Sequence, residues 1–309
     1  MDSRSVYGSL ATAQLLGFGA LVDALAIASR ELDTGLVHCP VRVGVPLSRE
    51  GVIQSMPASA GDLAIHKLVS VNPANLTKGL PTIFGLVTAC DGETGEPLFV
   101  LDGPTLTGRR TAALSMLGVR LFHPSEPEKF LVIGTGAQAR YHAAAIHDLY
   151  PHARICVKGI NSSAEADFCN LMSGDGIQVV KAEGSIPPDV DTVITVTTSK
   201  TAVYDEEARA DRLIVGAGSA TPDAAELSPR TIHGSLLFVD DLKGTRAEAG
   251  DLLQADVDWA KVTSIGSIDP VRLPKDKPIV FKAVGCGAWD LAACRVARAA
   301  LKSRDSNLD

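Results

Sequence analysis

The sequence predicts an α/β protein in which an α+β domain precedes a parallel-sheet domain. Three observations carry this. From Phe130 to Val239, short β-branched runs alternate with polar or alanine-rich stretches, as strands alternating with helices do. Those runs are continuous, as in Leu131-Val132-Ile133 and Leu213-Ile214-Val215, which suits strands buried on both faces. The first 110 or so residues differ, with strand-like runs set between Gly, Pro and Asp turns.

In order along the chain, Ala11–Arg30 has the spacing of one amphipathic helix. Val41–Val45, Ala64–Val71, Thr82–Cys90 and Leu98–Leu101 read as strands, joined by turns such as Asp91-Gly92 and Thr94-Gly95. Thr107–Gly118 resembles a helix linking the two parts. The strands of the second part are Phe130–Ile133, Arg154–Val157, Gln178–Val180, Thr192–Val196, Leu213–Val215 and Leu236–Val239. Ala137–Leu149 and Ala164–Met172 are helices between them, and Trp289–Ser303 is a final helix whose pattern names no packing partner.

With 309 residues the chain has room for one large domain or two ordinary ones. No cationic start followed by an apolar core suggests a secretory signal, and Gly, Asp or Arg interrupts every apolar stretch well before about 18 residues. The reading is therefore a soluble, cytoplasmic protein with no membrane partner. The net charge of −7 with scattered acids lacks the basic face that nucleic acid requires. Six cysteines (Cys39, Cys90, Cys156, Cys169, Cys286, Cys294) form no C-x-x-C pair and read as reduced core residues. His142 and His147 stand five apart, which does not stack two ligands on one helical face, so no metal site is expected.

The first chemical motif is Gly134-Thr135-Gly136-Ala137-Gln138-Ala139, a G-x-G-x-x-A loop that follows a strand and opens a helix. Its first glycine permits a tight turn, its second admits a pyrophosphate to the backbone, and its small third position packs helix on strand. Helix N-terminal amides then face phosphate oxygens. This marks the sheet domain as Rossmann-type and dinucleotide-binding. NAD-preferring folds put an acid at the end of the second strand. Here Lys158-Gly159-Ile160-Asn161-Ser162 follows Val157, and no acid comes before Glu165. Lys158, Asn161 and Ser162 suit a 2′-phosphate, which favours NADPH over NADH.

Three cations stand out before the loop: Arg42 in a predicted strand, Lys67 in another, and Arg110 in LTGRRTAALS. A lone cation in a strand is ordinarily solvated. Strand alternation does put His66 and Lys67 on opposite faces, but composition alone does not bring the three cations together.

The block AIHKLVSVNPANLTKGLPTIFGLVTACDGETGEPLFVLDGPTLTGRRTAALSMLG, then VIGTGAQA, VGAGSATPDAAEL, FVDDLKGTRAEAGDL and KAVGCGAWDLAA, resembles the ornithine cyclodeaminase/mu-crystallin family across nearly the whole chain. The resemblance implies a substrate-binding and dimerisation domain over residues 1–118 with 289–309, a Rossmann domain over 119–288, and a homodimer built through the first domain. It implies that Arg42, Lys67 and Arg110 surround a substrate carboxylate. That fits their chemistry, since a guanidinium grips a carboxylate bidentately and a lysine supplies a compact charge with a transferable proton. It further implies cofactor contacts from Arg110, Thr111, Gly134, Gly136, Ala137, Gln138, Thr197 and Thr198.

One departure bears on the reaction. Cyclodeaminases, and an archaeal alanine dehydrogenase branch, carry an aspartate two residues before the proline in the stretch matching Gly218-Ser219-Ala220-Thr221-Pro222-Asp223-Ala224-Ala225-Glu226-Leu227. Ala220 occupies that position. Asp223 lies beyond the proline and is expected to serve the turn or the next helix start. Without an amine-activating carboxylate, the expected substrate is already an imine. The resemblance then points to reduction of Δ1-pyrroline-2-carboxylate or Δ1-piperideine-2-carboxylate by hydride from NAD(P)H. Lys67 would stabilise the carboxylate or help protonate the imine nitrogen. Ornithine cyclodeamination, an alanine-type dehydrogenase and a catalytically silent NADPH-binding protein are the competing readings.

Overall fold

The computed structural model describes residues 5–48, 51–182, 184–218, 220–269, 273–274 and 276–306. Ser219 of the stretch quoted above lies outside them. The chain divides into two compact units, Met1–Arg110 with Cys286–Asp309, and Thr111–Gly285. The cuts fall at 110/111 and 285/286, a few residues before the 118/119 and 288/289 expected from the sequence.

The first unit contains β1 (Ser5–Tyr7), α1 (Ser9–Leu15), α2 (Phe18–Asp33), β2 (Val43–Pro46), β3 (Val52–Ser59), β4 (Leu63–Val71), β5 (Ile83–Asp91) and β6 (Pro97–Asp102). The helix α3 (Gly103–Phe122) starts in it and the last helix, Gly287–Asp305, belongs to it. The single helix expected over Ala11–Arg30 is two helices bent by 70°. Gly17 is the N-cap of α2 in a non-helical conformation, and buried Leu15, Leu16 and Phe18 hold the corner. The strands form one sheet in the order β1-β6-β5-β4-β3-β2. Residues of β4 alternate: Leu63, Ile65 and Lys67 are buried while His66 and Leu68 are exposed. The buried face packs against the last helix, which also lies on α2. Gly287, at that helix's first position, comes so close to β3 that a Cβ there would meet the Pro57 carbonyl at 2.9 Å.

The second unit holds β7 (Lys129–Ile133), α4 (Ala137–Leu149), β8 (Arg154–Lys158), α5 (Ser162–Gly174), β9 (Val179–Lys181), β10 (Thr192–Thr195) and β11 (Leu213–Gly216). After these come α6 (Pro229–His233), β12 (Leu236–Val239), α7 (Leu242–Glu248), α8 (Gly250–Gln254), β13 (Val262–Ser264), β14 (Ile279–Lys282), and the last helix is α9. The sheet order is β13-β12-β14-β11-β10-β7-β8-β9, every pair parallel. From β7 the chain winds outward to β8 and β9, then crosses to β10 and β11. The strand order therefore reverses between β7 and β10, where ligands bind in open α/β sheets.

At the opposite end of these strands, His123 Nδ1–H donates to Ser125 O (2.7 Å) and Nε2 lies 3.6 Å from Asp191 Oδ1. Burial opposes the charged imidazole, but Asp191 and the Ser125 carbonyl outweigh it and raise the His123 pKa. A raised folded pKa contributes stability at low pH that is lost as pH rises through it. We expect His123→Gln to cost about 1 kcal/mol at pH 6 and less at pH 8.5. Thermal denaturation of both proteins at the two pH values measures this, and an equal gap at both would show that the His123 charge contributes nothing.

Candidate functional site

In the first unit the cations predicted from sequence meet a carboxylate that was not. Lys67 on β4, Arg110 on α3 and Asp290 on α9 converge. Lys67 Nζ lies 2.7 Å from Asp290 Oδ2 and Arg110 Nε donates to Asp290 Oδ1 at 3.1 Å. The Lys67 side chain is 3% exposed and that of Asp290 is 0% exposed. Strand pairing sets Lys67 in a row with Met56, Val87 and Leu101, all buried. That apolar row explains the chemistry of the amine. Burial pushes the Lys67 pKa down to about 8; Asp290 opposes the fall, and Arg110 and Arg42 add to it. Arg42 is therefore within electrostatic reach, although it precedes β2 instead of lying in a strand, and it is only partly buried. Two buried cations against one buried carboxylate leave a positive charge able to hold an anion. Cys294, one turn beyond Asp290 on α9, is buried and its thiol is pushed up by burial, so it is inert.

In the second unit the glycine loop fits a dinucleotide. Gly134 has φ +126°, which side chains disfavour, and a Cβ there would meet Val196 O at 2.9 Å. Its N–H donates to Lys158 O (2.8 Å), which ties the loop to the end of β8. Gly136 and Ala137 are exposed, and Ala139 is fully buried against the sheet. The Gln138 Oε1 is buried with no hydrogen-bond partner among the described residues, an acceptor left for a ligand. His142 is a core residue: Nδ1–H donates to Gln138 O, Ser115 hydroxyl bonds Nε2, and burial lowers its pKa to about 4, so it is neutral. Thr111 is buried on α3.

Thr197 and Gly218, after β10 and β11, are held by one carboxylate that sequence reading passed over. Glu226 Oε1 accepts from Thr197 N–H (2.6 Å) and its hydroxyl (3.0 Å), and Oε2 accepts from Gly218 N–H (2.8 Å). Lys282, at the end of β14, pairs with Asp251 and lies 3.9 Å from Glu226. All three side chains are 0% exposed. Burial opposes ionisation of Asp251, but Lys282 and the amides of Leu227 and Glu226 outweigh it and lower its pKa. Thr198, next to Thr197, is exposed. Ala220 packs partly buried against the unit's apolar core. Asp223 accepts from the Thr221 hydroxyl (2.8 Å) and pairs with Lys200, so it serves the turn and no helix start.

At the outer end of β8 a cavity of about 710 Å³ is lined by Lys158, Ser162, Glu165, Lys181, Ala182 and Gly184, among others. Lys158 Nζ donates to Gly184 O (3.3 Å) and Lys181 Nζ to Ser162 Oγ (3.2 Å). Asn161, next to Ser162 in the chain, caps α5 with its Oδ1, which accepts from Ala164 N–H (2.9 Å). Glu165 is turned to the Gly159 N–H (3.0 Å).

Known proteins resemble this chain over nearly its whole length. The profile of the ornithine cyclodeaminase/mu-crystallin family matches residues 8–305. Delta(1)-pyrroline-2-carboxylate reductase 1 of Burkholderia multivorans is 49% identical over 306 residues, covering 99% of this chain and 98% of that protein. The Delta(1)-pyrroline-2-carboxylate/Delta(1)-piperideine-2-carboxylate reductase of Azospirillum brasilense is 48% identical over 97% of this chain and 96% of its own. In fold, the Thermococcus litoralis Delta(1)-pyrroline-2-carboxylate reductase, solved with NADH and L-proline, superposes with a TM-score of 0.86 at 24% identity, over 97% of this chain and 98% of that one.

Proposed function

The chain belongs to the ornithine cyclodeaminase/mu-crystallin family, and from that premise we propose that it reduces cyclic ketimines, Δ1-pyrroline-2-carboxylate to L-proline and Δ1-piperideine-2-carboxylate to L-pipecolate. The observation that carries this reading is Lys67, buried and paired with Asp290, which also holds Arg110, with its pKa near 8. When bound, the reduced nicotinamide supplies a hydride for the C=N carbon. Arg42 and Arg110 hold the substrate carboxylate, acting through position and charge. Lys67 supplies a proton to the imine nitrogen from a group that titrates near working pH. Gly134, Gly136, Ala137, Gln138, Thr111, Thr197 and Thr198 serve the dinucleotide, and Lys158 with Ser162 favours NADPH over NADH. Alanine at position 220 supports the reductase over a cyclodeaminase, since it neither accepts a proton nor holds an ammonium. The location we infer is cytoplasmic, consistent with six cysteines in the thiol form. Among the described residues, no single helix is long and apolar enough to cross a membrane.

The test is loss of reduced-nicotinamide absorbance on adding either imine, with NADPH and NADH in parallel. Oxidation with either imine supports the reading. No oxidation, together with ammonia release from ornithine, would replace it with cyclodeamination.

The assembly we infer is a homodimer through the sheet of the first unit. Its face opposite the helices carries an apolar cluster beside His66: Val43 is 63% exposed, Phe84 47% and Leu86 52%, with Leu68 directly paired to Leu86. A contiguous apolar sheet face marks an interaction surface, and a second copy presents the same face by two-fold symmetry. The double substitution Phe84→Asp with Leu86→Asp is expected to halve the mass seen by light scattering. An unchanged dimer would move the interface elsewhere.

A further inference from the structure

We propose that Lys181, at the end of β9, is a cofactor-selecting residue that joins Lys158 and Ser162 in recognising the 2′-phosphate of NADPH. This rests on the preference for NADPH inferred above and names a side chain that provides it. Register places Lys181 beside Val157, the residue before Lys158, and Ala182 N–H donates to Val157 O at 2.9 Å. The two lysines thus leave adjacent strand ends and line one cavity. Lys181 Nζ bonds Ser162 Oγ across that cavity, so its ammonium sits on the opening turn of α5. An edge strand such as β9 commonly carries lysine to discourage pairing with other sheets. A lysine with that task alone extends into solvent, whereas this one folds back onto a hydroxyl.

Charge in the cavity agrees. Lys158 and Lys181 supply two positive charges, and the carboxylate among the lining residues named, Glu165, is turned to the Gly159 amide. A ribose 2′-hydroxyl needs an acceptor here, whereas a phosphate needs cations and donors, and Lys158, Lys181 and Ser162 are of the second kind.

The experiment measures binding without turnover. Isothermal titration calorimetry gives the Kd of 2′,5′-ADP and of 5′-AMP for the wild type, K181M and K181R. We expect the wild type to prefer 2′,5′-ADP, and K181M to lose about tenfold or more of that preference. K181R is expected to keep most of it, and 5′-AMP binding is expected to be unchanged in all three, which also shows that the variants are folded. If the wild type prefers 2′,5′-ADP and K181M keeps the same ratio, Lys181 has no selecting role while the NADPH reading stands. If the wild type shows no preference, the NADPH reading itself falls and the role of Lys181 with it.

Discussion

Lys67→Met is expected to lower kcat/KM for Δ1-pyrroline-2-carboxylate by about 10²–10⁴-fold, the range for a lost general acid. The variant should still fold. Methionine is close in length to the lysine stem and suits the apolar row of Met56, Val87 and Leu101. Asp290 keeps Arg110 as its partner, so no buried carboxylate is stranded. How the loss divides between kinetic constants separates two roles. A proton donor acts in the transition state, so its removal lowers kcat with little change in KM. A pure carboxylate clamp holds substrate and transition state alike, so its removal raises KM. Arg110→Ala supplies the comparison and is expected to act mainly on KM. Near-normal kcat/KM in both variants, with unchanged circular dichroism, would remove the cluster from the reaction.

The sheet of the second unit was legible because its strands are buried on both faces, and burial writes itself as uninterrupted Val, Ile and Leu. Ala137–Leu149 emerges with the bounds that the sequence suggests, since Gly136 precedes it as a cap. Central β14 (Ile279–Lys282) was not legible, although its four residues are all buried. Its apolar run is as short as Leu213–Val215, and it ends in a lysine whose partners Asp251 and Glu226 are distant in sequence. In the first unit β3 escaped for another reason. Its sequence, VIQSMPAS, contains a proline that argues against a strand. Pro57 is tolerated because it lies beyond the segment that pairs with β2, which ends at Ser55. Ser59, two residues on, points its amide away from β4 to His38 O, which is the side on which Pro57 lacks an N–H.

Lys67 was half visible. Alternation along β4 separates it from His66 but does not say which face is buried; the exposed residue is His66. Asp290 was invisible. An aspartate in the first turn of a helix ordinarily reads as a favourable charge near the helix N-terminus, and only packing of α9 against β4 brings it to Lys67. The cations announced the candidate site, and the carboxylate that sets their protonation did not.

That carboxylate yields the second large effect. Asp290→Asn leaves Lys67 and Arg110 buried without their counter-charge, and it is expected to cost about 3–5 kcal/mol of stability, as for other broken buried pairs. Stability loss alone would show only that Asp290 is structural, so the pH profile is the informative reading. In the wild type, kcat/KM should fall above about pH 8 as Lys67 loses its proton. Asp290 raises that pKa, so in Asp290→Asn the decline should begin at lower pH. Arg110 lowers the same pKa, so Arg110→Gln should move the decline to higher pH whatever its effect on rate. Opposite displacements from two partners of one amine are not produced by general loosening of the fold, which would act alike in both. The measurement is kcat/KM from pH 6 to 10 for the three proteins at a temperature where each is folded. Two variant profiles that coincide with the wild type would mean that the group titrating in the free enzyme is not Lys67.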